Sequence, residues 1–138
     1  MPEVVLVTVA SWEERFALGV ERSLAQESFS IVVCLASERY LAKSSALRTK
    51  ARLLASEAGV EYEEWPFNFE DQVECYHKMS ALAEERLARA DRIVLDVSTA
   101  PRTLVWMLLG ALAPAGREIV IRYSQAAEYD AWQTAEEG

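Results

Sequence analysis

The chain has 138 residues, of which 51% are hydrophobic, and its 22 acidic and 14 basic residues give a formal net charge of −8. This length predicts one domain over residues 1–138 with its own core, and the acidic balance excludes a protein-wide basic surface for duplex nucleic acid. Two cysteines are too few for a disulfide framework. The sequence shows no secretory signal and no apolar run of ~20 residues, so we expect a soluble, cytoplasmic protein that does not enter a membrane.

Five short segments have the composition of β-strands. Residues 4–10, 31–35 and 93–97 are apolar and rich in β-branched side chains, a pattern typical of parallel strands buried on both faces. Residues 60–67 and 118–124 mix charged with apolar side chains, which favours positions at the two edges of the sheet.

Helical patterns separate these strands. Residues 16–24, 47–58 and 102–113 carry apolar side chains at helical spacing. The remaining helical stripe comprises Val73, Tyr76, Ser80, Ala83 and Leu87. A further helix is predicted to begin within residues 126–132. Alternation of strands and helices implies right-handed crossovers, and polar edge strands 3 and 5 give the order 3-2-1-4-5. The sequence therefore predicts an α/β fold, a three-layer Rossmann-like arrangement around a five-stranded parallel sheet.

Ligands of an open parallel sheet bind beyond the carboxyl ends of the strands where the strand order reverses, here between strands 1 and 4. The loop after strand 1, residues 11–15, contains no glycine-rich phosphate-binding fingerprint. Ser11 and Glu14 have the spacing of a capping box, which predicts a structural role at the start of helix 1. Arg15 is either a surface residue or a cation that reaches the cleft from the first turn of that helix.

The loop after strand 4 carries Asp96, Ser98, Thr99 and Arg102. A carboxylate within an apolar strand must be paired or hydrogen-bonded, because an isolated buried charge is costly. The segment combines hydroxyls, a guanidinium and the free N–H groups of a helix start, and the first turn of the helix has no acid. Such a combination favours an anion site. In the alternative interpretation Ser98 or Thr99 only caps helix 4, and Asp96 fixes the neighbouring loop.

The Asp-x-Ser/Thr-x-x-x-Arg/Lys pattern of residues 96–102, after strand 4 of a 3-2-1-4-5 sheet, resembles the ligand motif of CRISPR-associated Rossmann-fold (CARF-like) sensor domains. The loop Ser-Trp-Glu-Glu-Arg after strand 1 is similar to that of uncharacterised bacterial defence-associated proteins. The resemblance implies a domain of antiviral defence or signalling that binds a cyclic oligonucleotide or related nucleotide, usually as a homodimer. The residues it implies as phosphate or backbone contacts are Ser98, Thr99 and Arg102, with Ser11 and Arg15 opposite them.

Three functions remain open from the sequence. The leading hypothesis is a non-catalytic sensor or binding domain for an anionic, nucleotide-derived small molecule, without a cofactor. The second is a nucleotide or nucleoside hydrolase or transferase with Asp96 as nucleophile or base, although no second catalytic group accompanies it. The third is a protein-interaction subunit without a ligand. A metal site is not predicted, because the single histidine, His77, has no second ligand near it in sequence.

Helix 4 is apolar on every side, whereas a helix that covers one face of a sheet needs only an apolar stripe. Trp106 and Met107 point in different directions at helical spacing, so one of them faces away from the sheet. We therefore predict a homodimer, or contact with a partner protein, through this helix.

Overall fold

Five parallel strands form one sheet in the computed structural model, which describes residues 3–113 and 117–124. The spatial order is β3-β2-β1-β4-β5, and each neighbouring pair is parallel. The strands are β1 Val4–Val9, β2 Ile31–Ser37, β3 Glu61–Phe67, β4 Arg92–Asp96 and β5 Glu118–Arg122. The predicted α/β fold and strand order are therefore confirmed.

Within the described residues, an α-helix follows each of the first four strands. The helices are α1 Glu14–Gln26, α2 Leu41–Glu57, α3 Gln72–Glu85 and α4 Arg102–Leu112, with a short 3₁₀ helix, Glu38–Tyr40, before α2. Helix α1 packs beside α2 on one face of the sheet, and α3 packs beside α4 on the other. None of these helices combines the length and apolarity needed to cross a membrane. The helix predicted within residues 126–132 lies outside the described residues.

Burial across the sheet follows the polarity of the strands. Strands β1, β2 and β4 are buried along nearly their whole length, whereas β3 and β5 are partly exposed. The central strands have helices on both faces, which explains why their sequences are almost continuously apolar. Glu61 and Glu118, at the starts of the two edge strands, are exposed to solvent, as their composition predicts, whereas Glu64 and Arg122 are partly buried.

The phase of α3 differs from the predicted one. Asp71 caps the helix, and its side chain accepts a backbone hydrogen bond from the first turn. From that start the buried residues are Cys75, Met79 and Leu82. Val73 and Tyr76 are instead 68% and 58% exposed, so the predicted stripe through them is wrong. Two apolar stripes overlap in this helix, and only packing against the sheet decides which one is buried.

Candidate functional site

A cleft of about 200 Å³ opens at the carboxyl end of the sheet, where the order of strands reverses. Its walls come from the loops that follow β1, β2, β3 and β4. The lining includes Ser11 and Trp12 after β1, Tyr40 and Ser44 after β2, Phe69 and Glu70 after β3, and Thr99 and Pro101 after β4. The cleft thus lies where open parallel sheets bind ligands. Of the predicted site residues, Ser11 and Thr99 line it.

Ser11 supports the loop after β1 and does not form the predicted capping box. Its Oγ accepts a hydrogen bond from the Glu13 N–H at 3.1 Å. Glu13 itself is the N-cap of α1 and makes no side-chain cap. Because the N-cap lies two residues beyond Ser11, this hydroxyl does not occupy the position that a capping box requires.

Aromatic rings stand at the rim of the cleft. The rings of Trp12 and Tyr40 meet edge-on, with centroids 5.0 Å apart. The Nζ of Lys43 lies 3.9 Å from the centroid of the Trp12 ring, which is a cation–π contact. Trp12 is 44% exposed, so part of its ring remains open to solvent. Glu70, also in the lining, forms an ion pair with Arg39.

The turn after β4 presents two residues to the cleft. Thr99 Oγ1 donates a hydrogen bond to the Val9 carbonyl at 2.7 Å and so ties the turn to the end of β1. Pro101 is the N-cap of α4, so neither Ser98 nor Thr99 caps this helix. The first turn of α4 has no side-chain cap and no acidic residue. Arg102, the first residue of α4, is exposed and lies next to the lining rather than within it.

Asp96 lies beneath α1, and neither Asp96 nor Ser98 lines the cleft. Asp96 Oδ1 accepts hydrogen bonds from the Ser98 N–H at 3.0 Å and from the Ser98 hydroxyl at 2.5 Å. The Ser98 Oγ in turn accepts one from the Ser124 N–H at 2.7 Å. The two residues are 4% and 5% exposed. They connect the end of β4 to the end of β5.

Gly19 of α1 makes room for the Asp96 carboxylate. A Cβ at position 19 would lie 1.9 Å from Asp96 Oδ2, far inside van der Waals contact. Glycine is needed here because α1 approaches β4 closely. It is not needed for an unusual backbone conformation, because among the described residues a positive φ occurs at Gly59 and not at Gly19. Sequence reasoning missed this contact, although a glycine inside an amphipathic helix is a signal for such packing.

Asp96 also belongs to a row of side chains that crosses the whole sheet on the face covered by α1 and α2. The members are register partners on successive strands, so their side chains share one face. This polar row comprises Glu64, Cys34, Thr8, Asp96 and Arg122. The sequence did not reveal it, because its members come from five separate segments.

The charge of Asp96 is only partly balanced. Burial raises the pKa of the Asp96 carboxyl, while hydrogen bonds from Ser98 and the positive charges of Arg122 and Arg15 oppose that rise. Within the described residues, Asp96 Oδ2 and Arg122 Nη1 are buried without a hydrogen-bond partner. Arg122 Nη2 pairs at 2.6 Å with Glu27, the residue that follows α1. The carboxylate is therefore enclosed between α1 and the sheet.

Arg15 lies in the first turn of α1 and does not line the cleft. Its Nη2 donates to Glu13 Oε2 at 2.6 Å, and its Nη1 donates to the Tyr123 hydroxyl at 2.8 Å. The hydrogen bond with Glu13 is the main cause of a raised pKa for this guanidinium. The predicted residues therefore form three groups: Ser11 and Thr99 in the lining, Arg102 beside it, and Asp96, Ser98 and Arg15 outside it.

Cys34, in the polar row, is a core thiol. It is fully buried, and burial raises its pKa to about 12. A thiol that stays protonated is a poor nucleophile and a poor metal ligand. In the part of the chain that the structure describes, no three His, Cys, Asp or Glu side chains are grouped to hold a metal ion.

A larger groove, of about 530 Å³, lies at the amino end of the sheet. Its lining includes four acids, Glu3, Glu61, Glu84 and Glu85, together with Arg86 and Arg89. Acidic walls disfavour an anionic ligand, and the amino ends of parallel strands are not where open sheets bind ligands. The cleft at the carboxyl end is therefore the candidate site.

No protein-family model and no curated protein matches this sequence. Solved structures of low sequence identity share its fold. The structure of Can2 from Sulfobacillus thermosulfidooxidans, in complex with cyclic tetra-adenylate (cA4), matches with a TM-score of 0.59 and 11% identity, over 86% of this chain and 31% of that chain. A universal stress protein in complex with cAMP matches with a TM-score of 0.51 and 14% identity, over 91% of this chain and 100% of that chain.

The chain has a Rossmann-like fold. The likeness to Can2 agrees with the fold implied by the CARF-like resemblance of residues 96–102. The chain spans less than a third of the Can2 chain and matches the whole of the universal stress protein. At these identities the likeness shows the fold alone.

Proposed function

We propose that the domain binds a phosphate-containing, nucleotide-derived small molecule at the cleft and acts as a non-catalytic sensor in a bacterial defence or signalling system. The observation that carries the proposal is a cleft across the carboxyl ends of four strands, next to the acid-free start of α4. Two proteins that share the fold, Can2 and a universal stress protein, were solved with cA4 and cAMP. Their ligands make adenine nucleotides the first compounds to test.

The site residues have different roles in this proposal. Ser11 and Thr99 contact the ligand from the lining, and Arg102 contacts its phosphate from the start of α4. Arg15 supplies a second positive charge from α1. Asp96 and Ser98 support the turn that carries Thr99. Asp96 has no catalytic role in the proposal, because its carboxylate is buried beneath α1 and hydrogen-bonded to Ser98.

Isothermal titration of the wild-type protein with cAMP and with cA4 tests the proposal. We expect binding of a nucleotide, and we expect Arg102→Glu to weaken it about 10- to 100-fold, because a charge-assisted hydrogen bond contributes about 1.5–3 kcal/mol. The free energy of unfolding of this variant should change by less than about 0.5 kcal/mol, because glutamate is tolerated in a first helical turn.

Arg22→Glu is the matched control. Arg22 is exposed on α1 and lies outside the cleft lining. Arg22→Glu changes the net charge by the same amount as Arg102→Glu. This control should bind as the wild type does. Equal binding by Arg102→Glu would place the phosphate elsewhere, and chemical turnover of a bound nucleotide, followed by chromatography, would overturn the non-catalytic role.

We also propose that two copies of the chain associate through the outer surface of α4. Trp106 is 69% exposed, whereas Met107 is half-buried against the core, so Trp106 faces away from the sheet. A Cβ at Gly110, one turn later, would meet nothing within 4 Å. Glycine inside a helix costs about 1 kcal/mol relative to alanine, and packing of a second helix at Gly110 explains its presence.

Charge supports the same surface. The helix carries no charged residue between Arg102 and its end at Leu112, in a chain whose net charge is −8. At this surface two copies would therefore bring no charged side chains of the helix against each other. An exposed tryptophan one turn from a glycine also gives each copy a protrusion and an open position to receive it, so the surface is self-complementary, as a two-fold interface requires.

Light scattering at tens of micromolar protein tests the association. We expect a dimer for the wild type and a monomer for Trp106→Glu. Leu53→Glu is the matched control, because Leu53 is 57% exposed on α2, and this variant should remain dimeric. A monomeric wild type would overturn the association, and a Trp106→Glu dimer would place it on another surface.

A further inference from the structure

The size of the cleft limits what it can enclose. Its volume is about 200 Å³, whereas pockets that enclose a drug-sized ligand usually measure about 300–1,000 Å³. A single ring system therefore fits inside, and a complete nucleotide does not. Part of the ligand must remain outside the cleft.

The charge of the lining decides which part stays outside. Glu70 is the charged side chain among the described lining residues, and it is paired with Arg39 at the rim. The rest of the lining is mostly apolar, with hydroxyls from serines and Thr99. A phosphate inside would face a carboxylate and lose its hydration without gaining a cation, which is strongly unfavourable. A neutral group suits the interior.

The aromatic side chains indicate the shape of that group. Trp12 lines the cleft from the loop after β1, Tyr40 from the segment after β2, and Phe69 from the loop after β3. Aromatic surfaces favour planar rings, because every nucleobase has a π-face that stacks on them. The Glu70 carboxylate lies in the same lining, where it can accept a hydrogen bond from the edge of a ring.

The positive charges stand outside this lining. Lys43 rests on the Trp12 ring at the rim, and Arg102 follows Pro101, which is the last residue of the lining in chain order. Both cations lie outside the lining but next to residues that belong to it, so we assign them to a charged group that projects from the cleft. Because the described lining holds no cation and the cations lie around it, a nucleotide would place its ring inside the cleft and its phosphate outside.

We infer that the cleft is a subsite for the neutral ring of the ligand, a nucleobase within its nucleoside, and that the phosphate lies outside at the rim. This inference rests on the proposed function, and it adds that the ring and not the phosphate supplies most of the affinity. A nucleoside without phosphate should therefore bind.

Titration of the wild type with adenosine, guanosine, cytidine and uridine, their 5′-monophosphates, cAMP and inorganic phosphate tests the inference. We expect one nucleoside to bind about 10- to 100-fold more weakly than its nucleotide, because it lacks the hydrogen bond between the phosphate and Arg102, and we expect inorganic phosphate alone to show no binding. Trp12→Ala should weaken the nucleoside and the nucleotide alike, by about 5- to 100-fold, as expected for a lost stacking surface. Arg102→Glu should weaken the nucleotide and leave the nucleoside unchanged.

Tyr76→Ala is the control for the aromatic substitution. Tyr76 is 58% exposed on α3, outside the cleft lining, and this variant should bind as the wild type does. Nucleotide binding without nucleoside binding, or equal binding by Trp12→Ala, would overturn the ring subsite and leave the proposed function standing. No binding of any compound in the panel or of cA4 would overturn both.

Discussion

The two sides of the turn after β4 differ in exposure and in bonding. On the side of α1, Asp96 and Ser98 are almost fully buried, and they bond to each other and to Ser124. On the side of the cleft, Thr99 and Arg102 border open space beside a helix start without a side-chain cap. Residues that form one motif in sequence are thus divided between a fixed support and an open rim.

The division follows from the geometry of a strand end. Successive side chains of a strand point to opposite faces of the sheet, and the chain then turns into α4. Asp96 shares its face with Thr8 and Arg122, beneath α1, whereas Thr99 lies in the turn and reaches the end of β1. Substitutions on the buried side should therefore change stability, and substitutions on the open side should change binding.

The largest effect is expected for Gly19→Ala. The new Cβ would lie 1.9 Å from Asp96 Oδ2, so either α1 or the carboxylate must move. We expect the free energy of unfolding, measured by urea denaturation, to fall by about 3 kcal/mol. The matched control is Gly110→Ala in the monomeric Trp106→Glu background, where the proposed contact through α4 is absent. Gly110 is also helical but has nothing within 4 Å, so alanine there should raise stability by up to about 1 kcal/mol. Equal effects of the two substitutions would contradict the close packing of α1 on Asp96.

Asp96→Ala should have the next largest effect. It leaves the buried Ser98 N–H and hydroxyl without their acceptor, and we expect a loss of about 1–3 kcal/mol. The same substitution removes the group that a Cβ at position 19 would strike. In a double-mutant cycle, Gly19→Ala should therefore cost much less in the Asp96→Ala background than in the wild type. Additive losses would show that the two positions do not share this space.

The pH dependence of the free energy of unfolding should report the raised pKa of the Asp96 carboxyl. Burial raises the pKa of this carboxyl in the folded protein above its value of ~4 in the unfolded chain. Between those two pKa values the folded protein binds more protons, so the free energy of unfolding falls as pH rises. Asp96→Asn cannot ionise and should lack this fall. We expect the free energy of unfolding of Asp96→Asn, measured by urea denaturation from pH ~3 upward, to increase relative to that of the wild type as pH rises. A difference between the two proteins that does not change with pH would contradict the raised pKa.

The smallest of these effects is expected at Thr99, on the open side. Thr99→Val removes the hydrogen bond to the Val9 carbonyl while keeping the shape of the side chain, and it should cost about 1 kcal/mol. Thr49→Val, on the exposed surface of α2 and outside the cleft lining, makes the same chemical change and should alter stability by less than about 0.5 kcal/mol. Thr99→Val should also weaken nucleotide binding, whereas Thr49→Val should not. Equal stability of the two variants would show that the bond does not hold the turn to β1.

Much of the fold and the place of the cleft were predictable from the sequence. Polar edge strands and apolar central strands determined the strand order, because the polarity of a strand reflects how many helices cover it. That order places the reversal between β1 and β4, and the cleft lies there. The loops after β1 and β4 were therefore identified as cleft walls from pattern and topology alone.

Only the tertiary structure decided which atoms meet. The phase of α3, the absence of the Ser11–Glu14 capping box and the approach of Gly19 to Asp96 depend on how elements pack. Thr99 and Val9, the partners of the bond that joins the two cleft walls, are 90 positions apart. Local periodicity reports whether a side chain is buried, but not which distant group shares its space, because that contact exists only once the sheet has formed.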